Sequence, residues 1–89
     1  ELFIPEGFSP NGDGINDFFT IGGLEELYPN ASIKIFDRWG SLMFEESPYQ
    51  NRWDGRRYDG FPLPRATYYY ILELGNNEEP IRGFVYLTR

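Results

Sequence analysis

The chain has 89 residues, 14 acidic and 8 basic, so its formal charge is −6 at neutral pH, and it contains no cysteine or histidine. A chain of this length forms one small domain, and its negative charge argues against nucleic acid as a partner, because phosphate contacts need a positive surface. Without histidine and cysteine it lacks the commonest general base, the thiol nucleophile and the usual transition-metal ligands, which argues against an enzyme.

The first half of the chain predicts short strands joined by turns. Residues 2–4 and 18–21 are apolar and read as two short strands on either side of a loop rich in Asn, Asp and Gly. Residues 24–27 allow one helical turn and no more. Residues 32–38 alternate between apolar and polar side chains, and with the returning segment 42–45 they predict a hairpin.

The second half predicts one long connection and two stronger strands. Residues 46–65 hold many Pro, Gly, Asn and Asp residues, and a connection of this length is either functional or contains structure of its own. Residues 67–74 form the clearest strand, residues 75–80 a turn and residues 81–88 the last strand. We therefore predict an all-β domain, an Ig-like antiparallel β-sandwich of about seven short strands.

The loop before the second strand is a candidate metal site. On the spacing of an EF-type calcium loop, Asn11, Asp13, the carbonyl of Ile15 and Asp17 fall at successive ligand positions. Serine stands at the leading position and threonine at the closing one, where carboxylates are usual, so the spacing predicts at most a weak calcium site. The alternative is a turn in which Asn and Asp bond the backbone and Gly supplies positive φ. No other cofactor is predicted.

Arginines and aromatic residues form the candidate partner-binding set. They lie around one tryptophan in the long connection and along the last strand: Arg52, Trp53, Arg56, Arg57, Arg82, Phe84, Tyr86 and Arg89. A tryptophan among arginines can serve as a sugar platform or a docking patch. The favoured alternative is that Trp53 caps the core, because so large an apolar side chain is costly to expose and a small core needs it. The run Tyr68-Tyr69-Tyr70 must place rings on both faces of its strand, and the period alone does not say whether the second face is covered or binds a partner.

Taken together, several blocks of the sequence resemble the gliding-motility-associated C-terminal domain family. In chain order they are Ile4-Pro5, Phe8-Ser9-Pro10-Asn11-Gly12-Asp13-Gly14, Asn16-Asp17, Phe19, Ile35-Phe36-Asp37-Arg38-Trp39-Gly40, Trp53-Asp54-Gly55, Leu63-Pro64, Thr67-Tyr68-Tyr69-Tyr70, Gly83 and Val85-Tyr86-Leu87. The resemblance spans residues 4–89. One departure is Arg65-Ala66, since the family more often shows Pro-x-Gly before its Thr-Tyr.

This resemblance implies a type B C-terminal sorting domain of the Bacteroidetes type IX secretion system, with an Ig-like sandwich fold. Its implied partners are an outer-membrane protein of the PorP/SprF type, the type IX translocon and an N-terminal cargo in the same chain. Residues 1–89 are then the terminal segment of a larger secreted precursor, which passes through the periplasm to the cell surface or the medium. The alternative function is an Ig-like adhesive or carbohydrate-binding module with a calcium-stiffened loop.

The residues also suggest how a receptor reads such a signal. The last strand could lie at the edge of a sheet, where a receptor adds main-chain hydrogen bonds. We expect the receptor to contact this strand and the arginine-bearing loop together.

Overall fold

Five strands form one mixed sheet in the computed structural model, which describes all residues 1–89. The strands are β1 (Gly7–Phe8), β2 (Ser32–Phe36), β3 (Leu42–Glu46), β4 (Ala66–Glu73) and β5 (Ile81–Leu87), and their order across the sheet is β1-β5-β4-β2-β3. The one helix, α1 (Leu24–Leu27), is a single turn, and no helix is long and apolar enough to cross a membrane. The predicted all-β class is confirmed.

The central strand β4 shows how the sequence sets the two faces of the sheet. β4 pairs antiparallel with β5 on one side and with β2 on the other. Its alternation buries Tyr68, Tyr70 and Leu72 in the core and leaves Tyr69 and Glu73 on the opposite face. β2 and β3 form the predicted hairpin, with a register shift next to Phe36.

The sheet has fewer strands than the sequence predicts, and one of its pairings is parallel. Residues 2–4 and 18–21 form no strand; Phe3 makes only an isolated bridge with Gly22. Phe19 instead donates its N–H to the carbonyl of Trp53, so its segment is held by the long connection rather than by a ladder. β1 pairs parallel with β5, with Gly7 opposite Tyr86 and Phe8 opposite Leu87.

No second sheet closes the core; irregular segments cover its open side. Their buried side chains pack against the sheet as one cluster, with Phe19, Ile21, Leu24, Tyr49, Trp53 and Leu63 all at most 5% exposed. The apolar runs at the N-terminus and the long connection thus fill the place of the second layer expected of a sandwich. Residues 46–65 accordingly hold structure of their own, namely part of the core.

Trp53 lies at the centre of this core. Its ring is within 5.1 Å of Phe8 and 6.0 Å of Tyr68, between centroids, and it meets Phe19 edge-on at 6.3 Å. Its indole N–H donates to the carbonyl of Arg56 at 2.9 Å, so the one polar atom of the ring is satisfied. This packing explains why a long loop without regular structure has a fixed path.

Candidate partner-binding surface

In the loop predicted to bind calcium, a single carboxylate organises the turn. Asp17 Oδ1 accepts the backbone N–H groups of Asn11 and Gly12 at 3.1 and 3.0 Å, and its Oδ2 accepts that of Gly14 at 2.7 Å. The side chains of Asn11 and Asp13 each accept the N–H two residues further on. Gly12 and Gly14 both have φ near +80°, which glycine adopts freely.

These hydrogen bonds fit calcium poorly. Calcium takes six to eight oxygen ligands, and here the side-chain oxygen of Asn11, one oxygen of Asp13 and both oxygens of Asp17 already accept backbone N–H groups. No group of three or more acidic side chains in the structure is placed to hold a metal ion. The loop is accounted for as a hydrogen-bonded turn, and we derive no function through a metal.

Three of the four arginines of the long connection are each paired with a nearby acid. Arg52 contacts Glu46 at 2.6 Å and Arg56 contacts Asp54 at 3.4 Å. Arg57 forms two bonds with the carboxylate of Asp59, at 3.0 and 2.7 Å.

Pairing changes the titration of the Arg57–Asp59 pair and removes the free positive charge that the sequence suggested. The hydrogen bonds from the Arg57 side chain, and then the backbone N–H of Phe61, lower the pKa of Asp59 to about 2. The bond to Asp59 raises the pKa of Arg57 in turn. The part of the long connection around Trp53 therefore presents neutral ion pairs rather than a cationic patch.

The sequence placed Trp53 among the candidate contact residues, but in the structure it is a core residue. Its exposed fraction is 0%, so a sugar or a partner protein cannot stack on its ring while the domain is folded. The prediction of an aromatic sugar platform at this position is therefore wrong. The structure supports the alternative, in which Trp53 fills the core.

Arg89 is tied to the body of the domain. Its guanidinium donates to the carbonyl of Leu63 at 2.8 and 3.2 Å, to that of Gly55 at 3.0 Å and to that of Pro10 at 3.3 Å. Gly55 and Leu63 belong to the long connection, and Pro10 belongs to the N-terminal loop. Arg89 thus joins the end of β5 to the N-terminal loop and to the long connection, and its donors are not free for a partner.

The outer face of the sheet carries exposed aromatic side chains. By strand register Phe36 lies opposite Tyr69 on β4, and Tyr69 lies opposite Phe84 on β5. The rings of Tyr69 and Phe84 are 4.9 Å apart between centroids. The exposed fractions are 39% for Tyr69, 62% for Phe84 and 46% for Tyr86. We call Phe36, Tyr69, Phe84 and Tyr86 the aromatic face.

One arginine stands beside the aromatic face without an acidic partner. Arg82 is exposed and lies opposite Ile71, on the same face of the sheet as Phe84, and it makes no ion pair. The structure thus brings together three of the predicted contact residues, Arg82, Phe84 and Tyr86.

Arg89 ties the end of the last strand to the arginine-bearing loop at Gly55, but the paired arginines of the loop do not form one patch with the aromatic face. The loop lies beside β3, where Tyr58 donates its N–H to the carbonyl of Met43 at 2.8 Å. β3 is separated from β5 by β2 and β4. β5 is also not an outer strand along its whole length, because β1 covers its end at Tyr86 and Leu87.

The predicted contact residues did not include Phe36, Tyr69 and Trp39, although the run Tyr68-Tyr69-Tyr70 left open whether its second face binds a partner. Once Tyr68 and Tyr70 are in the core, alternation alone places Tyr69 outside, and antiparallel register then brings Phe36 and Phe84 beside it. Trp39 is 77% exposed at the β2–β3 turn, with the guanidinium of Arg38 4.9 Å from its ring centroid. Its position next to Gly40 in the predicted turn was the sequence feature that could have indicated its exposure.

Comparison with known protein families decides what this domain is. The model of the CHU_C type IX secretion signal domain matches residues 2–87, nearly the whole chain. The chain belongs to this family. No curated protein matches it.

Membership fixes the broad role of this type IX secretion signal domain. It serves as a C-terminal sorting signal, it acts with the type IX machinery, and the protein that carries it is secreted or displayed at the cell surface. The family is one of secretion signals and not of enzymes.

Proposed function

We propose that an outer-membrane protein of the PorP/SprF type binds this domain in the periplasm and delivers the attached cargo to the type IX translocon. On this proposal residues 1–89 are the last domain of a larger precursor, and the cargo precedes them in the same chain. The domain itself performs no catalysis and acts only by being bound. The family assignment supports the machinery and the destination, and the surface of the domain supports the manner of binding.

The observation that carries the proposal is the aromatic face. Tyr69 and Phe84 form a tilted ring contact across β4 and β5, and both remain open to solvent, as does Tyr86. A small domain with this aromatic content can bury such rings in its core, so their exposure on a regular sheet marks a surface that another molecule covers. Aromatic side chains are also enriched at the centres of protein interfaces.

The charge distribution adds a polar anchor to this apolar surface. The domain carries a net charge of −6, and three of the four arginines of the long connection are paired with neighbouring acids. Arg82, which lies beside Phe84, makes no ion pair. A guanidinium binds a carboxylate through two parallel hydrogen bonds, so the matching partner surface is apolar with an acidic group at its rim.

Photo-crosslinking tests the proposal directly. A reporter with an export signal and this domain at its C-terminus carries a benzoylphenylalanine in place of Tyr86 and is expressed in a host with a working type IX system. We expect a covalent adduct with a PorP/SprF-type protein, identified by mass spectrometry. The matched control places the same group at Tyr58, which is 71% exposed but lies beside β3. The absence of that adduct from the Tyr86 position, or equal adducts from both positions, contradicts the proposal.

A further inference from the structure

One stretch of β5 has an unused main-chain edge. Tyr86 donates its N–H to the carbonyl of Glu6, away from β4, so by alternation the N–H and C=O groups of Arg82 and Phe84 also point away from β4. None of these groups takes part in a turn or loop hydrogen bond within the domain. β1 covers only the end of the strand, at Tyr86 and Leu87.

The path of the chain explains why this edge stays open. Upstream of β1, Pro5 has no N–H to donate, and Phe3 turns away to pair with Gly22. Upstream of Glu6 no backbone hydrogen bond joins the N-terminal segment to Arg82 or Phe84, and Ile4 and Pro5 instead line a groove beside Phe84. No proline lies within β5, and its one charged side chain, Arg82, points to the outer face rather than along the edge.

A groove for a side chain lies beside the open edge. It runs between Pro5 and Glu6 on one side and Phe84 and Tyr86 on the other, with Tyr70 among its lining residues. On the core face Tyr70 lies across Gly83: a Cβ at Gly83 would be 2.5 Å from the Tyr70 hydroxyl oxygen. Tyr70 thus fills the space beside Gly83 on the core face of the sheet. The outer face is free to contact the side chains of an added segment.

From these features we infer that the partner supplies an extended segment, which adds to the sheet as a strand beside Arg82 and Phe84, in line with β1. This rests on the proposed function and specifies how the partner binds. The main-chain groups of Arg82 and Phe84 provide the hydrogen bonds of the new strand. The same segment meets the aromatic face, because the side chains of both residues lie on that face.

The side chains specify the chemistry of the segment. Its residues that lie next to Arg82 and Phe84 on the outer face are two positions apart, since side chains alternate along a strand. An acidic residue there pairs with Arg82, which has no acid of its own. An apolar residue two positions away packs on Phe84 and enters the groove beside Pro5. The occupant is thus an extended segment with an acid and an apolar residue in alternate positions.

Proline substitution tests the main-chain hydrogen bonds of the edge separately from the side chains of the surface. Arg82→Pro removes an outward N–H that the fold does not use, and proline is accepted at sheet edges. Glu45→Pro is the matched control, because by the same alternation Glu45 directs its N–H outward from β3, at the opposite edge. Arg82→Ala keeps the backbone and removes only the charge. Circular dichroism and thermal unfolding first establish that each variant is folded.

Surface display of the reporter fusion is the first measurement. We expect Arg82→Pro to lower display at least tenfold, Glu45→Pro to leave it unchanged and Arg82→Ala to lower it a few-fold. Display of folded Arg82→Pro at the level of the unmodified domain overturns the inference and leaves the proposed function intact. Failure of the unmodified domain to display the reporter overturns the proposed function, and the inference falls with it.

Hydrogen exchange is the second measurement, and it does not depend on a substitution. The probe is a PorP/SprF-type protein of the same host, purified in detergent and mixed with the intact domain. We expect the amides of Arg82 and Phe84 to exchange at least tenfold more slowly in the complex. A complex that leaves both rates unchanged overturns the inference, as does protection of the same amides in a dimer of the domain alone.

Discussion

Tyr69 and Phe84 pack against each other across two neighbouring strands, with ring centroids 4.9 Å apart and ring planes inclined by 56°, on the exposed face of the sheet. A cross-strand aromatic pair of this kind contributes about 0.5–1 kcal/mol to folding. The pair leaves apolar surface exposed to solvent. A role in binding a partner accounts for this exposure.

Substitution of Phe84 by serine separates these two roles. We expect about 1 kcal/mol of destabilisation, because only the pair with Tyr69 is lost, but a loss of most of the crosslink to the outer-membrane partner. Phe3→Ser is the control, since Phe3 is 69% exposed and pairs with Gly22 rather than with a strand of the aromatic face. Equal crosslinking in the Phe84 and Phe3 variants would show that the aromatic face is not the contact surface.

Arg89 is expected to stabilise the fold rather than to bind a partner. Arg89→Ala removes hydrogen bonds to the carbonyls of Pro10, Gly55 and Leu63, and we expect a loss of about 1–3 kcal/mol in the free energy of unfolding. For a domain of this size each kcal/mol lowers the Tm by about 4–8 °C. Arg82→Ala is the matched control and should change stability by less than about 0.5 kcal/mol. Similar losses in the two variants would refute the role given to Arg89.

The N-terminal loop is expected to hold its shape without calcium. Asp17→Ala removes the acceptor of three backbone N–H groups and should cost about 1–2 kcal/mol, as loss of a helix cap does. Asp17→Asn keeps one acceptor oxygen and should cost less. Addition of EDTA should leave the Tm of the unmodified domain unchanged. A calcium-dependent rise in stability of about 2–3 kcal/mol at a hundredfold excess over Kd would restore the metal interpretation.

Stability should be flat near neutral pH and fall at high pH. Burial raises the pKa of Tyr49, Tyr68 and Tyr70 above the usual value. A raised tyrosine pKa means that the folded state holds the proton more tightly. Its contribution is therefore complete below about pH 10 and is lost as the pH rises from there through the folded-state pKa. Urea unfolding at a series of pH values measures this, and Tyr49→Phe should lessen the alkaline loss.

At low pH the same measurement reports on Asp59. Its pKa is lowered to about 2, so its contribution is present above about pH 4 and is lost as the pH falls from about 4 to 2. The pair with Arg57 is exposed, so we expect a small effect that salt weakens further. With no histidine in the chain, a marked transition between pH 6 and 8 would contradict this account.

Local sequence patterns predicted the elements whose stability is local. The β2–β3 hairpin, the turn of helix α1 and the two faces of β4 follow from alternation and turn residues. The pairing of Arg57 with Asp59, two residues away, could also be predicted. The family resemblance predicted more than the local patterns did. Several motif blocks in one order identify a family, whereas each block alone is weak evidence.

What the sequence did not reveal depends on distant contacts. The apolar run at residues 18–21 has the composition of a strand, but Phe19 bonds Trp53 and fills the core instead. The carbonyl partners of Arg89 lie 26 to 79 residues away in the chain. β1 covers the end of β5, and this parallel pairing has no local signal. Such arrangements follow from the tertiary fold and not from periodicity.

Surface display of a reporter tests the central claim most directly. A reporter protein carries an export signal at its N-terminus and residues 1–89 at its C-terminus, in a host with a working type IX system. Digestion of intact cells by an added protease measures how much of the reporter is outside. We predict that the reporter becomes accessible with the domain and stays protected in the periplasm without it. A reporter that stays protected in both cases would contradict the account.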